Sequence, residues 1–376
     1  MSTLPLLSDA AALARLMRRA VRVASRGHGG AEPNPMVGCV IATPTGEAIA
    51  DGHHRRCGEA HAEVDALRAA GARAKGAVAI VTLEPCAHQG RTGPCSEALA
   101  DAGVAAVVYA VGDPNPIAKG GARRLAERGV ATLRFPLPEA DLLAAPFLKR
   151  VRTGMPWVML KWAQSLDGRI ALASGESKWI SGGRSRRMVH RERGRVDAIL
   201  TGIGTVLEDD PQLVARGVRV ARVARRVVFD PQAETPPSAQ VCDGRAPTTL
   251  LVSGELDAAA ERRAASLRAR GVDIIELGPS DSLAPALRAL AAAGVANILV
   301  EAGGGLAGRL IAERLADEAF VFVGPIVIGD SAAPGAVRGL DPRTMDLVSR
   351  ANLVAIRRRG ADALLHYRFT EPITSS

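Results

Sequence analysis

Apolar positions recur at helix and strand spacing along the first 135 residues of the chain. A helical pattern covers 10–26, and two short strand patterns within 37–52 flank a turn at Pro44–Gly46. The segment "HAEVDALRAAG", which starts at His61, predicts a helix that ends at Gly71. Strand and helix patterns then alternate to about residue 135, which predicts a sheet with helices packed on it.

A second series of strand and helix patterns begins after Gly154–Pro156, which follows a predicted helix within 137–156. Several of its strands are nearly continuous apolar runs, as strands covered on both faces of a sheet require. The arginine-rich segment 214–226 is expected to form an exposed loop or hairpin. Since single hydrophobic cores stop growing near ~250–300 residues, the 376-residue chain predicts two α/β domains, over 1–150 and 151–376.

The overall charge changes this picture by suggesting a class of partner. The formal net charge is +9, and the arginines are spread through helices rather than gathered in a tail. A basic balance favours phosphate-bearing partners, either nucleic acid or a phosphorylated small molecule. An arginine-rich proteome accounts for the charge equally well. Aromatic residues make up 3% of the chain, so Ala, Val and Leu must build the cores.

The N-terminal stretch and the cysteines bear on the cellular compartment. The first 27 residues lack the long apolar region of a signal peptide, and no run reaches the ~18 apolar residues of a membrane span. The 5 cysteines are odd in number and do not have the spacing of a disulfide framework. We therefore expect a reducing, cytoplasmic setting.

Four residues in the first half have the character of a hydrolytic metal site. His61 opens a predicted helix, Cys86 follows a predicted strand, and Cys95 begins the next predicted helix. A catalytic zinc ion takes three protein ligands and one water, which these three side chains can provide. Glu63 follows His61 by two positions, so it can enter the site without binding the metal. This is the ligand set and proton carrier of zinc deaminases.

Three alternatives remain open for this cluster. A structural zinc site would need a fourth ligand, which Cys57 or His88 could supply. A nucleic-acid-editing deaminase would use the basic charge to hold a phosphate backbone, but it predicts P-C-x-x-C spacing and stacking aromatics. Here nine positions separate the two cysteines, Cys86 and Cys95. The third alternative is a non-catalytic binding module stabilised by zinc.

The strings "HAEVDALRAAG", "GAVAIVTLEPCAHQGRTGPC" and "AVGDPNP" together resemble the deaminase domain of the bifunctional riboflavin-biosynthesis family RibD. The segments "KWAQSLDGRIALASGESKWIS" and "TGIGTVLEDDPQL" resemble the reductase domain of the same family. The resemblance implies a cytidine-deaminase-like α/β/α domain followed by an α/β domain that is similar to dihydrofolate reductase. The implied cofactors are Zn²⁺ and NADPH.

The resemblance also implies two reactions. The first is deamination of 2,5-diamino-6-ribosylamino-4(3H)-pyrimidinone 5′-phosphate, with Glu63 moving the protons. The second is NADPH-dependent reduction of the ribosyl group to the ribityl side chain. The implied partner is this phosphorylated pyrimidine rather than nucleic acid or a membrane. We further expect a homo-oligomer, a dimer through the second domain.

The resemblance assigns substrate contacts in the first domain to Asn34, His54, His88 and Arg91. Each of these residues also has a simpler structural explanation. Asn34 precedes Pro35, and Asn is common in turns. The two histidines and Arg91 could equally be solvated loop residues.

A glycine-rich turn marks a second site in the other half. Gly303, Gly305 and Gly308 have G-x-G-x-x-G spacing between a predicted strand and a predicted helix, where backbone N–H groups can meet a diphosphate. A simple tight turn explains this spacing equally well. No acidic residue follows at the distance typical of a Rossmann fold, so we do not predict that fold.

The resemblance also implies two sets of contacts in the second domain, one for the cofactor and one for the substrate. Those implied for the cofactor are Ala163, Trp179, Thr205, Asp209, Gly303, Gly304, Gly305, Leu306, Ala307, Gly308 and Arg309. Those implied for the ribosyl phosphate substrate are Lys161, Ser177, Arg193, Leu213, Arg216 and Glu301. Two of these, Arg193 and Arg216, suit phosphate because the guanidinium fork matches a pair of anionic oxygens, although solvated arginines are the alternative. Trp179 could instead be a core residue.

Overall fold

The computed structural model describes residues 4–88, 93–278 and 282–369, which form two compact units, Met1–Gly154 and Met155–Ser376. The N-terminal unit contains a five-stranded sheet in the order β2-β1-β3-β4-β5. Strand β1 is antiparallel to β2 and β3, whereas β3, β4 and β5 run parallel. Its elements are α1 (Ala10–Ala24), β1 (Gly38–Ala42), β2 (Ala48–His53), α2 (Ala62–Ala70), β3 (Val78–Leu83), α3 (Cys95–Asp101), β4 (Ala106–Val111), α4 (Gly121–Glu127), β5 (Ala131–Arg134) and α5 (Pro138–Thr153).

The predicted order of helices and strands in this unit is confirmed. Helix α1 starts where the Asp9 side chain accepts a hydrogen bond from the Ala12 amide, and its apolar face is buried. Helix α2 ends at Gly71, as its sequence predicts. It lies directly against β2, because a Cβ atom at Gly52 would come within 2.3 Å of the Ala62 carbonyl oxygen. This close contact sets the position of the α2 N-terminus, where His61 lies.

The C-terminal unit contains a nine-stranded sheet in the order β10-β9-β8-β7-β11-β6-β12-β14-β13. Seven of its strands are parallel, and the last two form an antiparallel hairpin at one edge. Its elements are β6 (Trp157–Gln164), α6 (Gly183–Arg193), β7 (Ala198–Gly202), α7 (Ile203–Asp209), β8 (Arg225–Phe229), β9 (Thr248–Ser253), α8 (Ala258–Ala269), β10 (Asp273–Leu277), α9 (Ala284–Ala292), β11 (Asn297–Val300), α10 (Gly304–Ala312), β12 (Glu318–Val323), β13 (Ala351–Arg359) and β14 (Asp362–Phe369).

The arginine-rich segment 214–226 is an irregular, largely exposed loop over most of its length, but its last two residues begin β8. Arg226 is fully buried. Its guanidinium donates to Asp243 Oδ1 at 2.8 Å and to the Ala246 carbonyl oxygen at 2.7 Å. The expectation of exposure is therefore wrong for Arg226, because tertiary partners satisfy its charge and its donors inside the unit.

Within the part of the chain that the structure describes, no helix has both the length and the apolar character needed to cross a bilayer.

Candidate active sites

Three chain segments bring the predicted metal ligands together in the N-terminal unit. His61 lies at the N-cap of α2, Cys95 is the first residue of α3, and Cys86 lies three residues beyond the end of β3. The His61 Nδ1 atom lies 3.2 Å from Cys95 Sγ and 3.7 Å from Cys86 Sγ. The Cys95 amide also donates to Cys86 Sγ at 3.4 Å. The predicted convergence of these residues at two helix N-termini is therefore observed.

The donor atoms of this cluster fit a zinc ion. All three lie within 4.8 Å of one another. Zinc bonds of about 2.0–2.3 Å in a tetrahedral arrangement separate neighbouring ligand atoms by roughly 3.5–3.8 Å. Two sulfur atoms and one imidazole are also the soft ligands that zinc accepts.

The surroundings of Cys86 favour its thiolate form. Hydrogen bonds from the Cys95 thiol and His61, with the Cys95 amide, lower the pKa of Cys86 to about 4 although burial opposes this. The pKa of Cys95 is raised, because its thiol shares a hydrogen bond with Cys86 and is buried. One thiolate is thus already stabilised by the protein, as a metal ligand requires.

Glu63 lies in the first turn of α2 and is buried beside the cysteines. Burial raises the pKa of its carboxyl group to about 7, and the negative charge of Cys86 acts in the same direction. The carboxyl group is not one of the clustered metal donors. Glu63 can therefore accept and release a proton next to the metal site.

A cavity of about 330 Å³ opens onto this cluster. Asn34, His54 and His88 all line it, as do His61 and Glu63. The cavity is large enough for a single pyrimidine ring with part of its substituent.

The cavity histidines differ in their bonding. His54 Nδ1 lies 3.1 Å from the Ala60 carbonyl oxygen, which leaves Nε2 to accept from Asn34 Nδ2 at 3.2 Å. Burial lowers the pKa of His54, consistent with a neutral ring. His88 Nδ1 is buried and has no hydrogen-bond partner. The fourth predicted contact, Arg91, lies outside the described residues.

The alternative of a closed, four-ligand zinc site is not supported. Cys57 and His88 line the cavity. Among the described residues, neither belongs to the group of converging donor atoms, which consists of His61, Cys86 and Cys95. An ion held by these three side chains would have its fourth coordination position left for water.

Sequence reasoning missed several residues that shape this cavity. Glu84 and Asp113 follow the adjacent parallel strands β3 and β4 and line its wall with Asn115 and Phe147. Glu84 accepts hydrogen bonds from the Asp113 and Ala122 amides, and Asp113 accepts from the Asn115 amide. The sequence signal for Glu84 and Asp113 was their place directly after two strands, because ligands in α/β folds bind at the carboxyl ends of parallel strands.

The C-terminal unit brings three of the predicted substrate residues into one charged cluster. Arg193 forms a bidentate ion pair with Glu301, in which Nε donates to Oε1 at 2.6 Å and Nη2 donates to Oε2 at 3.0 Å. Lys161 Nζ lies 3.6 Å from the same carboxylate. Burial alone would raise the pKa of Glu301, but the charges of Arg193 and Lys161 outweigh it and hold the pKa at about 2.

Leu213 and Arg216 belong to a loop segment whose backbone contacts this cluster. Leu213 is buried and has a backbone φ of 46°, a conformation that residues other than glycine rarely adopt. The next carbonyl oxygen, that of Val214, accepts from Arg193 Nη1 at 3.2 Å. The Arg216 amide donates to His190 Nδ1 at 3.3 Å, one turn before Arg193 on α6. His190 is a further neighbour that the sequence did not indicate.

The predicted cofactor segments meet at the carboxyl ends of β7 and β11, which are parallel neighbours. Thr205 and Asp209 lie on α7, which begins directly after β7. The glycine-rich turn begins α10, and Gly202 at the start of α7 approaches Leu306 of α10. Two helix N-termini therefore lie at one edge of the sheet, where backbone N–H groups can bind an anion.

The glycines of this turn divide into two groups. A Cβ atom at Gly304 would lie 2.8 Å from the Gly335 oxygen, and one at Gly308 would lie 1.9 Å from the Arg338 oxygen. Among the described residues, no atom apart from the adjacent residues and the backbone of the helix itself lies within 4 Å of the Cβ positions of Gly303 and Gly305. The first pair is needed for packing, whereas the second pair leaves open space at the helix N-terminus.

The remaining predicted residues are placed as follows. Ala163, near the end of β6, packs on a small apolar cluster around Phe322. Trp179 is 68% exposed, and the Arg186 guanidinium lies 4.3 Å from its ring centroid. The core alternative for Trp179 is therefore wrong. Ser177 is half-buried in the loop between β6 and α6, and Arg309 of α10 donates to Glu313 at 2.9 Å.

Comparison with known proteins identifies both units. Residues 156–365 match the RibD C-terminal domain, and residues 11–111 match the cytidine and deoxycytidylate deaminase zinc-binding region. The RibD protein of Escherichia coli (strain K12) is 39% identical over 93% of this chain and 97% of its own length. The solved structure of Acinetobacter baumannii RibD, form 1, has a TM-score of 0.82 at 36% identity and covers 96% of this chain and 100% of its own.

A second solved structure is that of a diaminohydroxyphosphoribosylaminopyrimidine deaminase/5-amino-6-(5-phosphoribosylamino)uracil reductase from Thermotoga maritima. Its TM-score is 0.81 at 29% identity, over 96% of this chain and 99% of its own. Fold and site thus define a zinc-dependent deaminase joined to a reductase. The chain belongs to the RibD family, bifunctional enzymes of riboflavin biosynthesis. This assignment replaces the nucleic-acid-editing deaminase and the non-catalytic zinc module.

Proposed function

We propose that residues 1–150 deaminate 2,5-diamino-6-ribosylamino-4(3H)-pyrimidinone 5′-phosphate and that residues 151–376 reduce the ribosyl group of the product. The observation that carries the first half is the convergence of three metal ligands with a buried Glu63 at one cavity. The similarity to the Thermotoga maritima deaminase and reductase, whose name gives this substrate class, supports both halves.

In the deaminase reaction, water replaces the 2-amino group of the ring, and ammonia leaves. Zinc, held by His61, Cys86 and Cys95, supplies the Lewis acidity that makes water a nucleophile near neutral pH. Glu63 takes a proton from the attacking water and delivers it to the departing amine, so one carboxylate serves both steps. Asn34, His54 and His88 hold the pyrimidine through hydrogen bonds from the cavity wall.

In the reductase reaction, NADPH bound to the C-terminal unit would supply a hydride to C1′ of the ribosylamino group. The C1′–O4′ bond breaks and O4′ takes a proton, which gives the ribityl chain. The hydride chemistry belongs to the cofactor, and the protein positions the two molecules. The open space beside Gly303 and Gly305 at the α10 N-terminus suits the diphosphate of NADPH. The other cofactor contacts are Ala163, Trp179, Thr205, Asp209, Gly304, Leu306, Ala307, Gly308 and Arg309.

The charged cluster around Glu301 serves the substrate of the reductase. Arg216 binds its phosphate, because a guanidinium group offers two parallel donors to anionic oxygens. Arg193, whose paired donors already hold Glu301, contributes its positive charge beside the phosphate. Lys161 and Glu301 orient the ribosyl hydroxyls, and Ser177 and Leu213 complete the binding surface. The ion pair of Glu301 with Arg193 holds both side chains in place before substrate enters.

The proposal is tested with the full-length enzyme and the diaminopyrimidine phosphate. Ammonia release measures the deaminase, and loss of NADPH absorbance measures the reductase. We expect ammonia release without NADPH, and NADPH oxidation only after deamination has supplied its substrate. NADPH oxidation at the wild-type rate by the Glu63→Gln enzyme, supplied with the diaminopyrimidine phosphate and releasing no ammonia, would contradict the proposed order of reactions.

We also propose that two copies pair through the C-terminal unit. Strand β13 lies at the edge of the sheet, and its Leu353 and Ile356 side chains are 49% and 64% exposed. Both pair in register with core-facing residues of β14, Tyr367 and Leu365, so they extend one apolar face. Ile356→Lys is expected to reduce the mass in analytical ultracentrifugation from dimer to monomer. A wild-type monomer at micromolar concentration would contradict the pairing.

We propose a cytoplasmic location, because a reducing compartment keeps the thiolates of Cys86 and Cys95 available for zinc.

A further inference from the structure

The C-terminal unit has a second cavity of about 330 Å³ whose wall consists almost entirely of arginine. The cavity lies between α6 and the turn that joins β13 to β14. It shares no lining residue with the cluster around Glu301. We name it the arginine groove, and its lining residues are Arg184, Arg187, Met188, Arg191, Arg358, Arg359 and Gly360.

Helix α6 contributes three of the five cations. Arg184, Arg187 and Arg191 are spaced three and four positions apart, which puts them on one face of the helix. Two other residues of the same helix face the charged cluster around Glu301. His190 contacts the Arg216 amide, and Arg193 contacts Glu301. The groove is therefore on a different face of α6 from the reductase site.

The β13–β14 hairpin contributes the other two cations and is fixed against α6. Gly360 forms the turn with φ of 78°, and a Cβ atom there would lie 3.5 Å from Arg184 Cδ. Asp362, which pairs in register with Arg359, accepts from the Gly182 amide at 2.8 Å and also from the Ser185 hydroxyl. These bonds hold the hairpin turn at the start of α6, so the groove is preformed.

The positive charge of the groove is not neutralised by the protein. No carboxylate lines it, and within residues 4–88, 93–278 and 282–369 none of its five arginines has an ion pair. Arg359 Nε is buried without a hydrogen-bond partner, and Arg358 Nε donates to the Gly360 oxygen at 2.9 Å. Asp362 accepts hydrogen bonds from the Gly182 amide and the Ser185 hydroxyl, and Glu192 forms an ion pair with Arg195 at 3.4 Å.

An anion would remove both unfavourable features, the mutual repulsion of the cations and the unmet donor of Arg359. Guanidinium groups bind phosphate oxygens in pairs, and the spacing of donors around a groove favours a ligand with several phosphates. A single phosphate monoester carries only about two negative charges at neutral pH. The size of the cavity matches a small molecule rather than an extended polymer.

We propose that the arginine groove binds the di- or triphosphate group of a small molecule. The phosphate chain lies between the guanidinium groups of α6 and those of the hairpin, with Arg359 Nε donating to it. The shared chemistry is a phosphoanhydride chain, either inorganic or part of a nucleotide. This site is separate from both reaction sites, so its existence does not depend on the reactions proposed above.

Isothermal titration of the full-length protein with inorganic triphosphate, ATP and orthophosphate tests the proposal. Triphosphate and ATP are expected to bind with similar affinity if the phosphate chain alone is recognised, and ATP more tightly if the nucleoside adds contacts. Orthophosphate is expected to bind at least about tenfold more weakly, a difference of about 1.4 kcal/mol.

Two variants on different elements locate the site. Arg187→Glu on α6 and Arg359→Glu on the hairpin are each expected to weaken triphosphate binding at least about tenfold, since each replaces an attraction by a repulsion. Arg262→Glu is the matched control, because it makes the same charge change at an exposed position of α8 that does not line the groove. The affinity of the Arg262→Glu protein for triphosphate is expected to stay within about twofold of wild type.

Arginine modification by phenylglyoxal, mapped by peptide mass spectrometry, gives an independent readout. Triphosphate is expected to protect the groove arginines. Protection confined to Arg193 and Arg216 would overturn the proposal, as would equal binding by all three Glu variants and wild type. A single-stranded oligonucleotide that binds more tightly than triphosphate through the groove arginines would also overturn it, in favour of a nucleic-acid surface.

Discussion

At the scale of single residues, Glu63 is the proposed proton carrier of the deaminase site. Its carboxyl group is buried beside Cys86 and Cys95 without belonging to the ligand group. We predict that Glu63→Gln lowers the rate of ammonia release by about 10²- to 10⁴-fold, the usual contribution of a general acid–base group. Zinc content, measured by atomic absorption, is expected to remain at the wild-type level because the three ligands are intact.

Asp65→Asn is the control for this substitution. Asp65 is a carboxylate of the same helix that binds the His53 amide and Arg55, and it does not line the cavity. We expect its ammonia release to stay close to wild type. An active Glu63→Gln enzyme with full zinc content would exclude Glu63 as the proton carrier.

Glu301 makes stability depend on pH. Its pKa in the folded protein is about 2, below the ordinary value of 4.5, because Arg193 and Lys161 favour the ionised form. A lowered folded-state pKa stabilises the protein above pH 4.5, and this stability is lost as pH falls towards 2. The full contribution is about 3 kcal/mol, of which roughly half remains at pH 3.

The measurement is the free energy of unfolding of wild type and Glu301→Gln by guanidinium titration, followed for the C-terminal unit. The variant cannot titrate at this position, so the stability difference between the two proteins is expected to shrink from pH 7 to pH 3. A difference that is unchanged over this range would show that the ionisation of Glu301 contributes nothing to stability.

At the scale of elements, α10 uses its glycines in two ways. Gly308 lets the helix lie against the Arg338 carbonyl, since a Cβ atom would come within 1.9 Å of its oxygen, whereas the Cβ position of Gly305 is open. Gly308→Ala is therefore predicted to destabilise the protein by about 1–3 kcal/mol through overpacking. Thermal unfolding checks this, with Gly305→Ala as the matched control that is expected to keep or raise stability.

The same pair of variants separates packing from cofactor binding. The added methyl group of Gly305→Ala fills space at the α10 N-terminus, so we expect the KM for NADPH to rise about tenfold or more. Steady-state NADPH oxidation measures this change. An unchanged KM for Gly305→Ala would place the diphosphate elsewhere on the protein.

At the scale of the whole molecule, the two reactions belong to separate compact units. The three candidate zinc ligands lie in Met1–Gly154, and the charged cluster and α10 lie in Met155–Ser376. We predict that removing zinc with 1,10-phenanthroline abolishes ammonia release but leaves NADPH-dependent reduction of the deaminated substrate unchanged. Added Zn²⁺ is expected to restore the first activity. Parallel loss of both activities would mean that the units do not function independently.

Local patterns predicted most elements but not all of them. Helix α1 and the β1–β2 pair follow directly from apolar spacing and turn residues. The β13–β14 hairpin was missed, because β13 is largely exposed and its end is the charged run Arg357–Arg359. Arg226 was expected at the surface, because sequence alone does not reveal the distant partners that satisfy a buried charge.

The clustering of the candidate zinc ligands was predictable from sequence for a physical reason. Each of its groups, His61, Glu63, Cys86 and Cys95, has a residue type suited to metal or proton chemistry and lies where a strand ends or a helix begins. The cavity wall around Glu84 and Asp113 was not predictable in this way. Acidic residues after strands are common, and only the pairing of β3 with β4 brings these two together.

The amino-acid sequence by itself determined the two-part α/β organisation, the candidate metal ligands with Glu63 beside them, and the family, because these depend on residue type and short-range spacing. Only the tertiary structure decided that Glu301 meets Arg193, 108 positions away, that Gly305 is open whereas Gly308 is packed, and that five arginines share one groove. Those contacts depend on strand register and helix packing, which join residues that are remote along the chain.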